Sequence, residues 1–184
     1  IMDSNATVNF AEYRVEKKRE GTHQLKRIGI FLGWSLVPLI TMVIGLAFFK
    51  PLLWLTPVVV MMVLYTGRYT LNLMNIDYEY CVVSGEFRVD AIHGNAIRKS
   101  LAAVRLSDMN AIAPYRDEYK AAADDPAIQK RIEAVSTMSS PDIYYGLYTN
   151  EDGLSTVVFF EATAKILKLA KLFNPSTVVT EVTF

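Results

Sequence analysis

The sequence predicts an α+β protein in which a transmembrane α-hairpin precedes an antiparallel β-domain that a C-terminal helix caps. Three observations carry this prediction. Two apolar runs lie close together in the first half of the chain, and from residue 76 onward short β-branched and aromatic runs alternate with turn signals. Residues 162–173 then switch to a helical period. We therefore divide the chain into a basic segment (1–27), a helical hairpin (28–74) and a β-domain (75–184).

The two apolar runs have the length and composition of membrane-spanning helices. Residues 28–49 are 22 residues without a charge, and about 20 apolar residues span a hydrocarbon core. Residues 52–68 form a shorter run that ends at Arg68, whose side chain can reach the interface. Lys50-Pro51 between the runs indicates a tight turn. A signal peptide is excluded because the first run is too long and a second follows at once, and a soluble helix pair is excluded because neither run has a polar face.

The distribution of Lys and Arg predicts the orientation. Residues 1–27 carry six Lys or Arg and four acids, a net charge of +2, whereas residues 69–184 carry eleven and fifteen, a net charge of −4. Basic residues near helix ends stay on the cytoplasmic side. We therefore expect a multi-pass protein of the cell membrane with both termini in the cytoplasm. The middle of each span contains no ionisable residue, so no proton or ion path is indicated.

Two further features of the N-terminal half receive structural interpretations. Residues 1–27 are expected to form a charged juxtamembrane helix that acts as a topology signal, rather than as a specific lipid site. Gly29 and Gly33 have the GxxxG spacing, which we interpret as a close helix contact, with dimerisation as an alternative.

The β-domain is expected to contain seven short strands in meander order, followed by one amphipathic helix. Its helix places Ile166, Leu167, Leu169, Ala170 and Phe173 on one face. The strands are predicted at 76–83, 86–92, 98–105, 108–113, 132–138, 143–149 and 154–160, with a polar loop and a short helical piece over 116–130. This order is that of a pleckstrin-homology (PH)-like barrel or sandwich, in which two antiparallel sheets pack together and the helix covers one end. A generic antiparallel α+β sheet is the alternative. We expect residues 75–184 to fold without the membrane.

Ordered motifs also carry a resemblance to a known family. They are NIDYEY at 75–80, SGEF at 84–87, APY at 113–115, NEDG at 150–153 and VVFFEATAKILK at 157–168. Together with the basic segment and the two apolar runs, they resemble a family of uncharacterised bacterial membrane proteins that join a two-helix anchor to a cytoplasmic PH-like domain. The resemblance implies a fold and a topology, and it implies no activity.

No residue pattern indicates catalysis, a cofactor or a metal. His23 and His93 lie outside any metal-binding spacing, and with the single cysteine Cys81 a structural zinc site is not indicated. The glycine motifs that bind phosphates are absent. The adjacent acids at 117–118 and 124–125 fall in a polar loop and are interpreted as solvated. The sequence therefore predicts no enzyme, no catalytic residue, no cofactor and no metal site.

Basic residues around the first predicted hairpin of the β-domain are too few for a phosphoinositide pocket. Ser84-Gly85 is followed only by Arg88, and the next basic pair, Arg98 and Lys99, lies on the following strand. Specific binding of a lipid headgroup is thus disfavoured, and the net charge of zero argues against nucleic acid. The tyrosines of the predicted strands are interpreted as sheet core.

These observations favour a non-enzymatic, membrane-anchored protein whose PH-like domain is an interaction module. Its expected partners are the lipid bilayer, in which it is integral, and either another protein or further copies of itself as a homo-oligomer. The alternative is an accessory subunit or assembly factor of a larger membrane complex. A third, weaker hypothesis is a sensor of anionic lipid, for which Arg88, Arg98 and Lys99 would be the residues to change first.

Overall fold

A computed structural model describes residues 10–18, 21–94 and 96–179. The described residues form two compact units. The helical unit contains Lys18–Ile76 and His93–Ile97, and the β-unit contains residues 10–17, Asp77–Ile92 and residues 98–179. The mixed α+β class predicted from the sequence is confirmed, with two apolar helices followed by sheets and a C-terminal helix.

The helical unit consists of two long helices joined by a short 3₁₀ helix. Helix α1 covers Gly21–Ala47 and helix α2 covers Thr56–Leu73, while Lys50–Leu55 form the 3₁₀ helix. The predicted tight turn is therefore a helical turn, because Pro51 near its start suits the first positions of a helix. The stretches Gln24–Ala47 and Lys50–Leu73, 24 residues each, are long and apolar enough to cross a membrane.

The close contacts within the helical unit involve different glycines from those expected. A Cβ atom at Gly29 or Gly33 would meet nothing within 4 Å, so the predicted close helix contact at these residues is wrong within the chain. A Cβ atom at Gly45 would instead come within 2.9 Å of Leu53, and one at Gly67 would lie 3.6 Å from the ring of Trp34. The GxxxG spacing therefore misidentified the glycines at which the chain packs against itself.

The described part of the β-unit contains eight strands in two four-stranded sheets. Their bounds are Phe10–Glu16 (β1), Ile76–Val83 (β2), Glu86–His93 (β3), Ile97–Arg105 (β4), Met109–Pro114 (β5), Lys130–Ala134 (β6), Ile143–Thr149 (β7) and Ser155–Glu161 (β8). One sheet has the order β1-β2-β3-β4 and the other has the order β5-β7-β8-β6. Within the described residues the two sheets are not joined into a closed barrel.

Strand β1 corrects the helix predicted over residues 1–27. Residues 10–16 pair in antiparallel register with β2, from Phe10 opposite Val83 to Glu16 opposite Asp77. Ala11 and Val15 are four residues apart and therefore lie on one face of the strand. Both are buried, whereas the other residues of β1 are exposed. In the remainder of the predicted helix, residues 17–18 have no regular secondary structure, α1 begins at Gly21, and the other residues lie outside the described ranges.

Strands β1 and β2 pair with each other, and the helical unit is the chain segment that connects them. Glu16 and Asp77 are neighbours across the two strands, and the chain between them runs through α1 and α2. Strand β1 therefore belongs to the β-unit, although the predicted fragment 75–184 leaves it out. A fragment that begins at Asn75 lacks one edge strand of the first sheet.

Strand β6 departs from the predicted meander. It pairs in parallel with β8, with Lys130 opposite Thr156 and Ala134 opposite Phe160, and it forms an edge of the second sheet. The strand also ends at Ala134, before the predicted end at residue 138. The chain passes from β5 through residues 115–129, which include the short helix α3 (Lys120–Ala123), to the opposite edge of the sheet.

Aromatic side chains hold the two sheets together. The ring centroid of Phe87 on β3 lies 4.9 Å from that of Phe160 on β8, and Tyr80 on β2 makes an edge-on contact with Phe160 at 6.2 Å. The Tyr80 hydroxyl donates to the carbonyl oxygen of Ala134 and accepts from the N–H of Glu161 at 3.4 Å. Burial raises the pKa of Tyr80, so the hydroxyl keeps the proton that it donates. This residue therefore links the first sheet to two strands of the second.

The second sheet is buried on both faces. Strands β7 and β8 are buried along nearly their whole lengths, and a separate cluster built around Tyr145 and Phe159 receives Tyr115, Tyr119 and Ile128 from the segment after β5. Strands covered on both faces read as continuous apolar runs rather than as alternating ones. This explains the continuous runs of apolar and aromatic residues at 143–148 and 157–160.

Helix α4 (Ala164–Phe173) covers β1 and the turn before β5. Thr163 caps its first turn by accepting the N–H of Ile166 at 3.3 Å. At its end the buried Asn174 donates to the carbonyl oxygens of Leu106 and Met109, at 2.8 and 2.9 Å. The predicted helix and its inward face are thus confirmed. The segment after the helix is described as far as residue 179, and Val178 in it forms a parallel bridge with Ile112 of β5.

Candidate interaction groove

A groove of about 570 Å³ borders the second half of β4 in the β-unit. We call it the β4 groove. Its lining consists of residues 100–105 of β4, Glu86, Asp108, Lys130 and residues 148–152, which are the end of β7 and the start of the β7–β8 connection. The tight turn of that connection shapes one wall, because Asn150 accepts the N–H of Leu154 on its side-chain oxygen at 2.8 Å. Gly153 in the same turn has φ +79, which glycine adopts without strain.

Strand β4 offers the groove an unpaired edge. It is the last strand of its sheet, and within the described residues no backbone hydrogen bond joins its outer edge to another segment. Leu101 and Val104 are half-buried, Ala102 is buried and Ala103 is exposed. An unpaired edge of this length can accept an added strand, because each outward N–H and C=O is available to a partner backbone.

Acidic side chains dominate the charge of the β4 groove. Four carboxylates line it, those of Glu86, Asp108, Glu151 and Asp152, against the two cations of Arg105 and Lys130. Arg88 donates to the Glu86 carboxylate at 2.8 Å and, with Arg105 nearby, lowers the pKa of Glu86. Glu86 is therefore ionised at neutral pH, and Arg88 compensates its charge. The other three carboxylates exceed the two cations of the lining, so the groove favours a partner that carries positive charge.

The basic residues considered for a lipid pocket are largely engaged in ion pairs. Arg88 is paired with Glu86, and Arg98 bonds to Glu79 at 3.0 Å and approaches Asp90 at 3.5 Å. Lys99 is exposed. Two of the three cations are thus matched by carboxylates of the same sheet, and the structure does not gather them around the Ser84-Gly85 turn.

Two of the adjacent acids in the loop after β5, Asp124 and Asp117, form ion pairs. Asp124 accepts from Arg131 at 2.8 Å and from the Tyr115 hydroxyl at 3.1 Å, and these hydrogen bonds lower the pKa of Asp124. The Arg131 guanidinium lies 4.4 Å from the ring centroid of Phe159. Asp117 pairs with Lys120 at 2.9 Å. The contacts of Arg131 hold the loop over the second sheet, whereas the Asp117–Lys120 pair lies within the loop and leaves Asp117 exposed, as predicted.

The histidine and cysteine side chains that the structure describes do not form a metal site. His93 is half-buried at the end of β3, and the side chain of His23 lies outside what the structure describes. Cys81 is half-buried rather than buried, and desolvation raises the pKa of its thiol, which lowers its reactivity. Over residues 10–18, 21–94 and 96–179, no group of three His, Cys, Asp or Glu side chains has the arrangement of a metal site.

The tyrosines of the strands belong to the core, as predicted. Tyr78, Tyr80, Tyr144, Tyr145 and Tyr148 are all buried. Tyr145 also donates to the backbone carbonyl of Tyr119 at 3.1 Å, which secures the covering loop.

Sequence reasoning missed the β4 groove, although one signal was present. Arg98 and Lys99 are adjacent charges within a strand, and charged residues of this kind are typical of exposed edge strands. The wall formed by residues 148–152 could not be assigned to the groove, because that requires the packing of the two sheets.

The family resemblance drawn from the sequence motifs is confirmed by comparison with protein families. Residues 8–180 match the family described as "Bacterial PH-like domain (DUF6106)". The matched range includes β1, both apolar helices and α4. Comparisons with curated proteins and with solved structures found no match.

Proposed function

Because the chain belongs to this family of bacterial PH-like domains, we propose that it is a non-enzymatic interaction module anchored in the cell membrane. Helices α1 and α2 are the anchor, and the β4 groove is the surface that receives a protein partner. PH-like domains are generally interaction modules without catalysis, which agrees with the predicted absence of an active site.

The exposure of apolar side chains on the helical unit supports membrane insertion. Phe31 and Leu39 of α1 are 63% and 59% exposed, and Met61 of α2 is 75% exposed. Only 6% of each candidate span is buried within the chain. Continuous apolar surface of this extent needs a lipid or protein environment. A membrane-inserted hairpin provides that environment for both helices.

The unpaired edge of β4 beside an acidic groove is the observation that carries the interaction function. An extended segment can add to the edge as a further strand, with main-chain hydrogen bonds supplying affinity and the groove selecting side chains. The excess of carboxylates selects a basic segment. Since Arg88 and Arg98 are engaged in ion pairs, the β-unit is less suited to an anionic headgroup.

A photo-crosslinking amino acid at the β4 groove tests this proposal. Ala103 is exposed within the groove, and Leu172 on α4 is 59% exposed outside it. In native membranes, the probe at Ala103 should give a discrete crosslinked product that the probe at Leu172 does not give. Reversing charge with Glu151→Lys and Asp152→Lys should lower its yield. Equal products from both probes, or none from Ala103, would contradict the groove as the partner site.

The composition of that product also separates the two functional candidates. A product with one foreign protein, purified together with the chain in a defined complex, would favour an accessory subunit or assembly factor. A product between two copies of the chain would favour self-association.

The orientation can be tested with a membrane-impermeant maleimide in a Cys81→Ala background. Lys50→Cys should be labelled in intact cells because the positive-inside rule places the 3₁₀ helix outside. Leu172→Cys should be labelled only after permeabilisation. Labelling of Leu172→Cys in intact cells would contradict a cytoplasmic β-unit.

A further inference from the structure

The helical unit has a second groove, between α1 and α2, of about 980 Å³. We call it the interhelical groove. Its floor is the contact between Trp34 and Gly67, where a Cβ atom would lie 3.6 Å from the indole ring. Trp34 donates its Nε1–H to Thr70 Oγ1 at 3.1 Å, which holds the two helices together there. The walls are largely apolar and include Phe31, Pro38, Val60, Val63 and Leu64.

Two arginines line the same groove. Arg27 comes from α1 and Arg68 from α2, and both share the lining with Asn72 and Asn75. Arg27 donates to Asn75 Oδ1 at 3.2 Å, and an amide oxygen does not neutralise it. Among the described residues neither arginine has a carboxylate in ion-pair contact. The groove thus combines uncompensated positive charge with an apolar floor and walls.

Both arginines occupy equivalent depths in the candidate spans. Arg27 is three residues from the start of the span at Gln24, and Arg68 is five residues from the end of the other span at Leu73. At about 1.5 Å per residue these offsets are only about 5 and 8 Å. In the inserted hairpin both guanidinium groups therefore lie near one interface, at the level of lipid phosphates.

From this arrangement, and resting on the membrane insertion proposed above, we infer that the interhelical groove binds one anionic phospholipid. The headgroup phosphate lies between Arg27 and Arg68, and an acyl chain covers the apolar walls. Basic pockets between membrane helices on the cytoplasmic side recognise anionic headgroups in this way. The site is on the anchor and is separate from the first hairpin of the β-domain, where the sequence disfavoured headgroup binding. Because Arg27 lines it, the inference revises the interpretation of residues 1–27 as a topology signal rather than a specific lipid site.

A second copy of the chain fits the interhelical groove less well. A two-fold contact through this surface would bring the arginines of one copy towards those of the other, because the same patch faces itself. Phospholipid supplies the opposite charge and an apolar chain in one molecule. Charge complementarity therefore selects lipid over self-association at this surface.

Native mass spectrometry of the full-length chain in mild detergent tests the inference, with phosphatidylglycerol and phosphatidylcholine as probes. The chain should bind phosphatidylglycerol more tightly than phosphatidylcholine. Arg27→Gln and Arg68→Gln should each weaken binding of phosphatidylglycerol about fivefold, since a basic residue near a lipid surface contributes about 1 kcal/mol. The double variant should lose about 25-fold on the same basis, and the Arg→Lys variants should retain most of the affinity.

Matched controls distinguish the groove from lipid that surrounds any anchor. Lys50→Gln removes a cation from the other end of the hairpin and should leave the affinity unchanged. Gly67→Leu fills the groove floor while keeping both arginines, and it should reduce binding of phosphatidylglycerol. Equal affinities of the wild-type chain and the double Gln variant would overturn the inference, as would lipid-free dimers that form through the groove.

Alkaline extraction of membranes tests membrane insertion of the two helices separately from lipid binding. Wild-type chain and variants should all remain in the membrane fraction. Release of the wild-type chain would overturn the proposed insertion together with the lipid site. Retention with unchanged lipid affinities in the double Gln variant would overturn the lipid site alone.

Discussion

A chain in which residues 17–76 are replaced by Asn-Gly should fold as a soluble β-domain, whereas a fragment that begins at Asn75 should not melt cooperatively. The replacement is compatible with the sheet because Glu16 and Asp77 face each other in antiparallel register, and Asn-Gly is a favoured two-residue hairpin turn. The shortened chain keeps β1, while the fragment lacks it.

The expected difference between these two proteins is large. Strand β1 contributes seven paired residues, and a backbone hydrogen bond stabilises by about 1 kcal/mol net. Its loss also uncovers the apolar surface that Ala11 and Val15 bury. A domain has a free energy of unfolding of about 5–15 kcal/mol, and the loss of β1 removes a large part of it.

Thermal and urea unfolding followed by circular dichroism would measure the difference. The shortened chain should show one sharp transition, and the Asn75 fragment should show a broad one. A sharp transition with similar free energies of unfolding for both proteins would mean that β1 is dispensable and that the sequence-based boundary at residue 75 is correct.

Substituting Leu169 should destabilise the β-domain far more than the same substitution three residues later in α4. Leu169 is 3% exposed and Leu172 is 59% exposed on the same helix. Leu169→Ala should lower the free energy of unfolding by about 2–5 kcal/mol, because it leaves a cavity beneath the helix. Leu172→Ala should change it by less than about 0.5 kcal/mol.

Urea unfolding of both variants in the shortened chain gives these values directly. Both variants replace a leucine of α4 by alanine, so the change in helix propensity is the same. The difference between their free energies of unfolding therefore measures the effect of burial. Small and equal decreases in the free energy of unfolding would show that α4 does not cover the core.

Some elements could be predicted because their determinants are local. The two apolar runs specify long helices through their length and composition. The period of residues 162–173 specifies both α4 and its buried face. The Ser84-Gly85 turn is also local: Ser84 and Gly85 have φ values of 51 and 84, a conformation that two-residue hairpins need.

Other elements depended on partners that are distant in the chain. The short, charged stretch Phe10–Glu16 has a weak strand pattern, and it becomes a strand because β2, some 60 residues later, supplies its hydrogen bonds. Likewise β6 pairs in parallel with β8 because residues 115–129 connect β5 to the opposite edge of the sheet. A period of two indicates a strand but does not identify its neighbour.

The sequence by itself therefore determined the two apolar helices, most of the strands, the terminal helix with its inward face, and the membership of a PH-like family. Only the tertiary structure decided that β1 belongs to the β-domain, that β4 has an unpaired edge beside an acidic groove, and that Gly67 rather than Gly29 or Gly33 lies at a helix contact. The physical reason is the distance along the sequence between the residues that interact. Helical period, turn conformation and apolar length arise between residues close in sequence, whereas an edge, a groove or a pair of converging arginines exists only after distant segments have packed together.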